Sequence, residues 1–158
     1  METLSTTNEQ AIIPPPEAVL MQFLFAPLLQ QCICVASRLK LADLVVEPKT
    51  TAKLASLTRT QEDALYRMLR MLEIVGIFHK NEQDRFELTP MASLLRSDIP
   101  NSMHSFVVMM GEDWLWKNWD ELMHCVKTGE TAQKKYMAWV GLNTFWQTPM
   151  LERFLMKL

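Results

Sequence analysis

Glycine is scarce. The chain has four in 158 residues, Gly76, Gly111, Gly129 and Gly141, and the two nearest each other stand twelve positions apart. A loop whose backbone approaches a phosphate, a dinucleotide or an adenosyl group needs clustered glycines. The sequence therefore holds no such cradle, and no cofactor is expected to bind this chain alone. Cysteine is scarce too: Cys32, Cys34 and Cys125 are odd in number and lack the two-residue spacer of common zinc and redox pairs, so they read as buried free thiols. Neither sign of charge dominates, with 16 basic against 18 acidic residues and a formal charge of −2, which argues against the electrostatic footprint of a nucleic-acid binder. No uninterrupted apolar run reaches the roughly 20 residues that span a bilayer. The N-terminus, Met1-Glu2-Thr3, is acidic and has no cleavable apolar segment. A soluble, cytoplasmic protein with no membrane partner is expected.

What is present is apolar: 49% of residues are hydrophobic and 22% charged, enough for a chain of this length to bury a genuine core. Residues 1–16, polar and then triple-proline, read as an extended or disordered arm. From Glu17 to Leu44 apolar residues crowd more than one helical face: Leu20, Phe23, Leu24 and Leu28 form one stripe, with Met21, Phe25 and Leu29 beside it. Pro27 is expected to break or kink this stretch into two helices. Such helices need burial on several sides.

Thr50 or Thr51 caps a short helix over Ala52–Leu57. Thr58-Arg59-Thr60 makes a turn, and Thr60 caps the next helix. In that helix Leu65, Met68, Leu69, Leu72 and Val75 recur at helical spacing, and Gly76 stands where a left-handed residue ends it. Ile77-Phe78 and Phe86-Glu87-Leu88 flank a polar turn and read as a hairpin. Thr89-Pro90 then starts a helix into Met91–Leu95. Helix, turn, helix, hairpin and helix make a winged helix-turn-helix. The fold class expected is mainly α, with this winged core and its short hairpin flanked by N-terminal and C-terminal helices.

Helices are also expected over His104–Met110, Asp113–Val126 and near Tyr136–Trp139. The final segment carries Leu151, Phe154, Leu155 and Leu158 at i, i+3, i+4, i+7. All five tryptophans, Trp114, Trp116, Trp119, Trp139 and Trp146, lie in this last third.

Several stretches fall in a familiar order: Ala36-Ser37-Arg38-Leu39-Lys40-Leu41-Ala42-Asp43-Leu44, Leu65-Tyr66-Arg67-Met68-Leu69-Arg70-Met71-Leu72, Gly76-Ile77-Phe78, Phe86-Glu87-Leu88-Thr89-Pro90, Leu94-Leu95-Arg96-Ser97, Trp119-Asp120-Glu121-Leu122 and Lys127-Thr128-Gly129-Glu130. Together, from about Leu20 to Thr131, they resemble the N-terminal dimerisation domain of S-adenosylmethionine-dependent O-methyltransferases of the plant caffeate and bacterial polyketide and carotenoid type. The resemblance implies an intertwined homodimer whose C-terminal, Rossmann-like domain binds S-adenosylmethionine and supplies the catalytic base. It places the dimerisation domain at 17–130 and a helical extension at 131–158 that leads toward that second domain. None of the family's cofactor or catalytic residues maps onto this sequence, so a fragment inactive by itself is expected.

The alternative is a winged-helix DNA-binding regulator. Its recognition helix would open on Gln61, Glu62 and Asp63, two of which phosphates repel, and the wing carries Glu82 and Asp84 beside Lys80 and Arg85. Met109, Met110, Trp114 and Trp116 form a polarizable cluster that either lines a pocket for an aromatic acceptor, as the resemblance implies, or packs as core or subunit interface. His104 and His124 lack partners at metal-ligand spacing, and no metal site is assigned. The pairs Glu112-Asp113 and Asp120-Glu121 read as helix-end or solvated charge, and no nucleophile-elbow sequence frames Ser93, Ser102 or Ser105. No catalytic residue is assigned. The dimer interface is placed on Leu20, Phe23, Leu24, Phe25 and Leu28.

Overall fold

The computed structural model describes residues 14–132. The chain divides into two compact units, residues 1–108 and 109–158.

The first unit opens with helix α1, Pro16–Arg38. Pro16 occupies the first turn, where a missing N–H costs nothing, while Glu17 and Arg38 place opposite charges at the two ends of the dipole. Pro27 does not divide the helix, contrary to the expectation from sequence. It withholds one N–H from the carbonyl four residues back, but Phe23 is 69% exposed, so water can take the missing place. Only the last turns of α1 enter the core, through Cys34, Ala36 and Ser37. Lys40, left-handed at φ 52, redirects the chain into α2, Leu41–Leu44.

Strand β1, Lys49–Thr50, precedes α3, Thr51–Thr58, whose N-terminus is capped by Thr50 Oγ1 accepting from the Lys53 N–H. The next helix, α4, Glu62–Ile74, is capped by Gln61 and not by Thr60: Gln61 has the extended backbone of a cap, and its Oε1 accepts from Ala64 N–H at 2.6 Å. The Thr60 hydroxyl instead pairs with that of Thr58 at 2.9 Å. Leu65, Leu69 and Leu72 form the buried stripe of α4. The helix ends as its sequence requires. Gly76 N–H donates to Glu73 O and Ile77 N–H to Leu72 O, at 2.9 and 2.8 Å, with Gly76 at φ +78. A Cβ there would stand 3.3 Å from Met91 Cε. Gly76→Ala is expected to cost about 1–2 kcal/mol, since a left-handed L-residue is strained even before that contact, read as a lowered midpoint in urea unfolding followed by circular dichroism.

Strands β2, Phe78–Lys80, and β3, Arg85–Leu88, form the expected hairpin. The turn is built by Asn81, whose Oδ1 accepts from the Gln83 and Arg85 N–H groups at 3.0 and 3.1 Å. The sheet has a third strand that the sequence does not advertise. Its order is β1-β3-β2, all antiparallel, with Lys49 opposite Phe86 and Phe78 opposite Leu88. Two residues are too few to show an alternating pattern. The sheet supplies Phe78 and Phe86 to a core shared with Leu41, Val45, Leu54, Leu69 and Leu72.

Helix α5, Pro90–Ser93, is fixed at its start by Thr89, whose hydroxyl donates to Ile77 O at 2.6 Å and accepts from Ala92 N–H at 3.2 Å. Just beyond it, Asp43 accepts from Ser97 N–H at 2.8 Å and from Ser97 Oγ at 2.9 Å. Helix α6, His104–Met110, follows. The winged helix-turn-helix read from sequence is thus present, bounded by long-range pairings at both ends.

In the second unit, the single helix expected over Asp113–Val126 is two: α7, Asp113–Asp120, and α8, Leu122–Thr128. They part at Glu121, which leaves helical geometry at φ −91, ψ 5. Gly129, at φ +73, closes α8. The segments near Tyr136–Trp139 and Leu151–Leu158 lie outside the described residues.

Candidate functional site

The five residues placed at a dimer interface are all on the N-terminal half of α1. Leu20, Phe23, Leu24, Phe25 and Leu28 are between 54% and 69% exposed, and Met21 joins them. At about 100° per residue these six positions sweep an arc of roughly 200° around the helix. Monomeric surfaces scatter single apolar residues but seldom concentrate six large ones on one element. The residues with which α1 meets its own core, including Leu29, Cys32 and Ile33, begin directly after Leu28.

This helix has the length and composition to cross a membrane, with 23 residues and a mean hydropathy of 1.8 over its most apolar window. The separate apolar runs seen in the sequence join because Pro27 does not break the helix. The packing opposes a crossing. The part free of the core, Pro16–Leu28, is thirteen residues, about 20 Å, against a hydrocarbon layer of about 30 Å. Cys34 Sγ donates to Val107 O at 3.2 Å, so the far end of α1 is tied into the protein.

Burial pushes the Cys34 thiol up from its ordinary value, against the opposing pull of Arg38. A raised folded pKa favours the native state below the unfolded thiol's pKa, and that contribution fades as pH rises through the folded value. With little thiolate and little access, Cys34 is expected to react with iodoacetamide at pH 8 at least about tenfold more slowly than Cys32 or Cys125. Peptide mass spectrometry after timed quenching reads this directly.

Of the proposed acceptor-facing residues, Met110 and Trp116 are brought together: Trp116 Nε1 donates to Met110 O at 3.1 Å. Met109 is half-buried beside them in sequence. Trp114 stands two positions from Trp116 on α7, about 200° around the axis, and faces elsewhere. His124 Nε2 on α8 is shielded from solvent without a hydrogen-bond partner, 3.6 Å from Glu130 Oε2. His104 Nδ1 is likewise shielded and unpartnered. No cluster of metal-ligating residues occurs among the described residues.

The groove between the N-terminus of α4 and the wing, where a DNA-binding relative would meet its duplex, has a volume of about 340 Å³. Its lining includes Glu62, Asp63, Tyr66, Lys80 and Asp84. The Lys80 ammonium is held by Asp84 at 2.7 Å and lies 5.5 Å from the centre of the Tyr66 ring. Three carboxylates and one engaged ammonium repel a phosphate backbone. Nor do the described glycines cluster as an adenosyl cradle needs: Gly76 and Gly129 each end a helix, and Gly111 has no second glycine near it in sequence.

A family model, the O-methyltransferase dimerisation domain, matches residues 21–98. Those residues belong to that family. The match begins within the exposed face of α1 and ends one residue after Ser97, so the dimerisation domain encloses the winged helix and the Asp43–Ser97 pairing. Similar proteins include a phenazine O-methyltransferase of Lysobacter antibioticus, 37% identical over 82% of this chain and 38% of its own length. An O-demethylpuromycin-O-methyltransferase of Streptomyces alboniger is 36% identical over 62% of this chain and 26% of its own. Among solved structures, LaPhzM superposes with a TM-score of 0.73 at 36% identity, covering 79% of this chain and 38% of that one. The chain thus spans under two fifths of the length of each of these relatives.

Proposed function

We propose that the dimerisation domain pairs two copies of this chain through the exposed half of α1, and that the pair serves S-adenosylmethionine-dependent methylation of an aromatic small molecule. The observation that carries the first part is the exposed apolar arc of Leu20, Met21, Phe23, Leu24, Phe25 and Leu28. A helix that keeps six large apolar side chains in water gains most by laying them against an identical helix, because a two-fold axis makes one patch its own complement. Light scattering on the wild-type chain at micromolar concentration should give twice the chain mass. A monomer would overturn the reading.

The methyl donor and the catalytic base belong, in this reading, to the part of the relatives beyond the region matched here. The described residues provide no fit for the donor, and no chemical step is assigned to them. Calorimetric titration with S-adenosylmethionine should show no binding, whereas tight one-to-one binding would refute a role confined to assembly. Met109, Met110 and Trp116 would contribute a polarizable wall to the acceptor site, with His124 available to a ring hydroxyl; Trp114 would lie on another face. The name of the phenazine relative supports an aromatic acceptor. A regulator that binds DNA is disfavoured by the acidic groove.

A further inference from the structure

The apolar face with which α1 meets its own core is longer than that core. Met21, Phe25, Leu29, Cys32 and Ala36 follow one another at i, i+4, i+8, i+11 and i+15, a single stripe within roughly 80° of the helix surface. Ala36 is 1% exposed, and Leu29 and Cys32 pack against the core cluster. Met21 and Phe25 continue the same line but are 46% and 54% exposed, so the stripe runs on past the body it packs against. An identical helix cannot cover the whole exposed arc either. One neighbour takes a stripe of about 100°, half of the roughly 200° between Phe23 and Phe25 at its two edges. A helix-wide strip of about 20 Å by 10 Å is only about 200 Å², against about 800 Å² on each partner in a stable interface.

The first unit carries an apolar band that its own α1 leaves uncovered. Met91, Leu94 and Met103 are 49%, 42% and 43% exposed. They are neighbours: Leu94 N–H donates to Met91 O at 3.2 Å, and Met103 N–H to Leu94 O at 2.7 Å. Val75, 38% exposed at the end of α4, adjoins them through Gly76, against which Met91 Cε is packed. We propose that Met21 and Phe25 of one copy lie on the Met91–Leu94–Met103 band of the other. This rests on the α1 pairing proposed above and completes it. The edge of the arc at Phe23 meets the partner's α1, the edge at Phe25 meets the partner's band, and a two-fold axis buries every patch twice. Met21, Phe25, Met91 and Leu94 all fall inside the dimerisation-domain match, 21–98. The chemistry suits the contact, because flexible thioethers adapt their shape to an aromatic ring and gain from sulfur–ring contacts.

Photocrosslinking on the full chain tests it. Unlabelled chain carrying a benzophenone side chain in place of Phe25 is mixed with wild-type chain labelled in heavy nitrogen, and the irradiated products are read by peptide mass spectrometry. The light peptide that contains position 25 should be joined to heavy peptides that contain Met91, Leu94 or Met103. Crosslinks confined to α1 or to the same copy, or no crosslink, in a sample that light scattering shows to be dimeric would overturn this placement and leave the α1 pairing standing. A monomeric sample would overturn both. Leu94→Asp gives an independent reading. Its association should be about a hundredfold or more weaker, followed by sedimentation over a series of concentrations, with the far-ultraviolet circular dichroism of the wild type; Leu94→Met should associate as the wild type does. A folded Leu94→Asp chain that dimerises undiminished would overturn the proposal.

Discussion

On the proposed pairing through α1, replacing Phe23 by aspartate is expected to leave the chain monomeric. Phe23 is the most exposed large side chain on the first half of α1, and it makes no contribution to the core cluster of its own chain. The substitution therefore leaves the folded unit intact while altering the surface on which pairing depends. In a two-fold dimer each substitution occurs twice. Burying an unpaired carboxylate costs at least about 2 kcal/mol at each copy, and about 4 kcal/mol in total corresponds to roughly a thousandfold weaker association. Sedimentation velocity at about 10 μM should show a single monomeric boundary. Far-ultraviolet circular dichroism should match that of the wild type. Phe23→Leu, which keeps the apolar surface, should remain dimeric. A variant that stays dimeric with aspartate at this position would place the interface elsewhere.

Much of the fold is visible in the sequence because its local determinants agree with one another. The Leu65, Leu69 and Leu72 stripe, the acidic first turn and Gly76 all specify one helix, and that helix forms with the expected stop. Thr89-Pro90 likewise announces a helix start, and the structure adds that the same hydroxyl reaches Ile77. Three features escaped for physical reasons. Pro27 is tolerated because the helix around it faces outward, a fact of tertiary setting. Gln61 caps in place of Thr60 because its side-chain amide reaches the Ala64 N–H while the Thr60 hydroxyl is taken up by Thr58, so residue type alone misplaces the boundary by one position. Strand β1 owes its existence to β3, with Thr50 opposite Arg85 and Lys49 opposite Phe86, 35 and 37 positions away, and no local pattern reports such a partner. The Asp43–Ser97 pairing explains why two separate stretches of the family resemblance travel together: they meet across 54 positions through two hydrogen bonds.

The candidate site was legible to a different degree. Crowding of apolar residues on several faces of α1 identified the exposed arc from sequence, since such crowding has few other uses. The Met and Trp cluster was harder, because residue type does not specify direction. Trp114 and Trp116 look equivalent in sequence, yet a separation of two on a helix turns them to different sides, and only Trp116 is tied to Met110.

Phe86 is where the first unit is most vulnerable, and Phe86→Ala should cost about 3–5 kcal/mol. Its side chain is 0% exposed, and it sits on the central strand of the sheet, opposite Lys49 on one side and Lys80 on the other. Removing the ring takes away its own burial and leaves a cavity beneath both flanking strands. Neither flank can collapse freely to fill it: β1 leads directly into the Thr50 cap of α3, and β2 is held to α4 through the Gly76 turn. The loss is a large share of the 5–15 kcal/mol that stabilises a typical domain, so urea unfolding should begin at far lower denaturant than in the wild type. Phe86→Leu retains most of the volume and should lose less than half as much. If alanine and leucine proved equally mild, the sheet would not be the part of the core on which this winged helix depends.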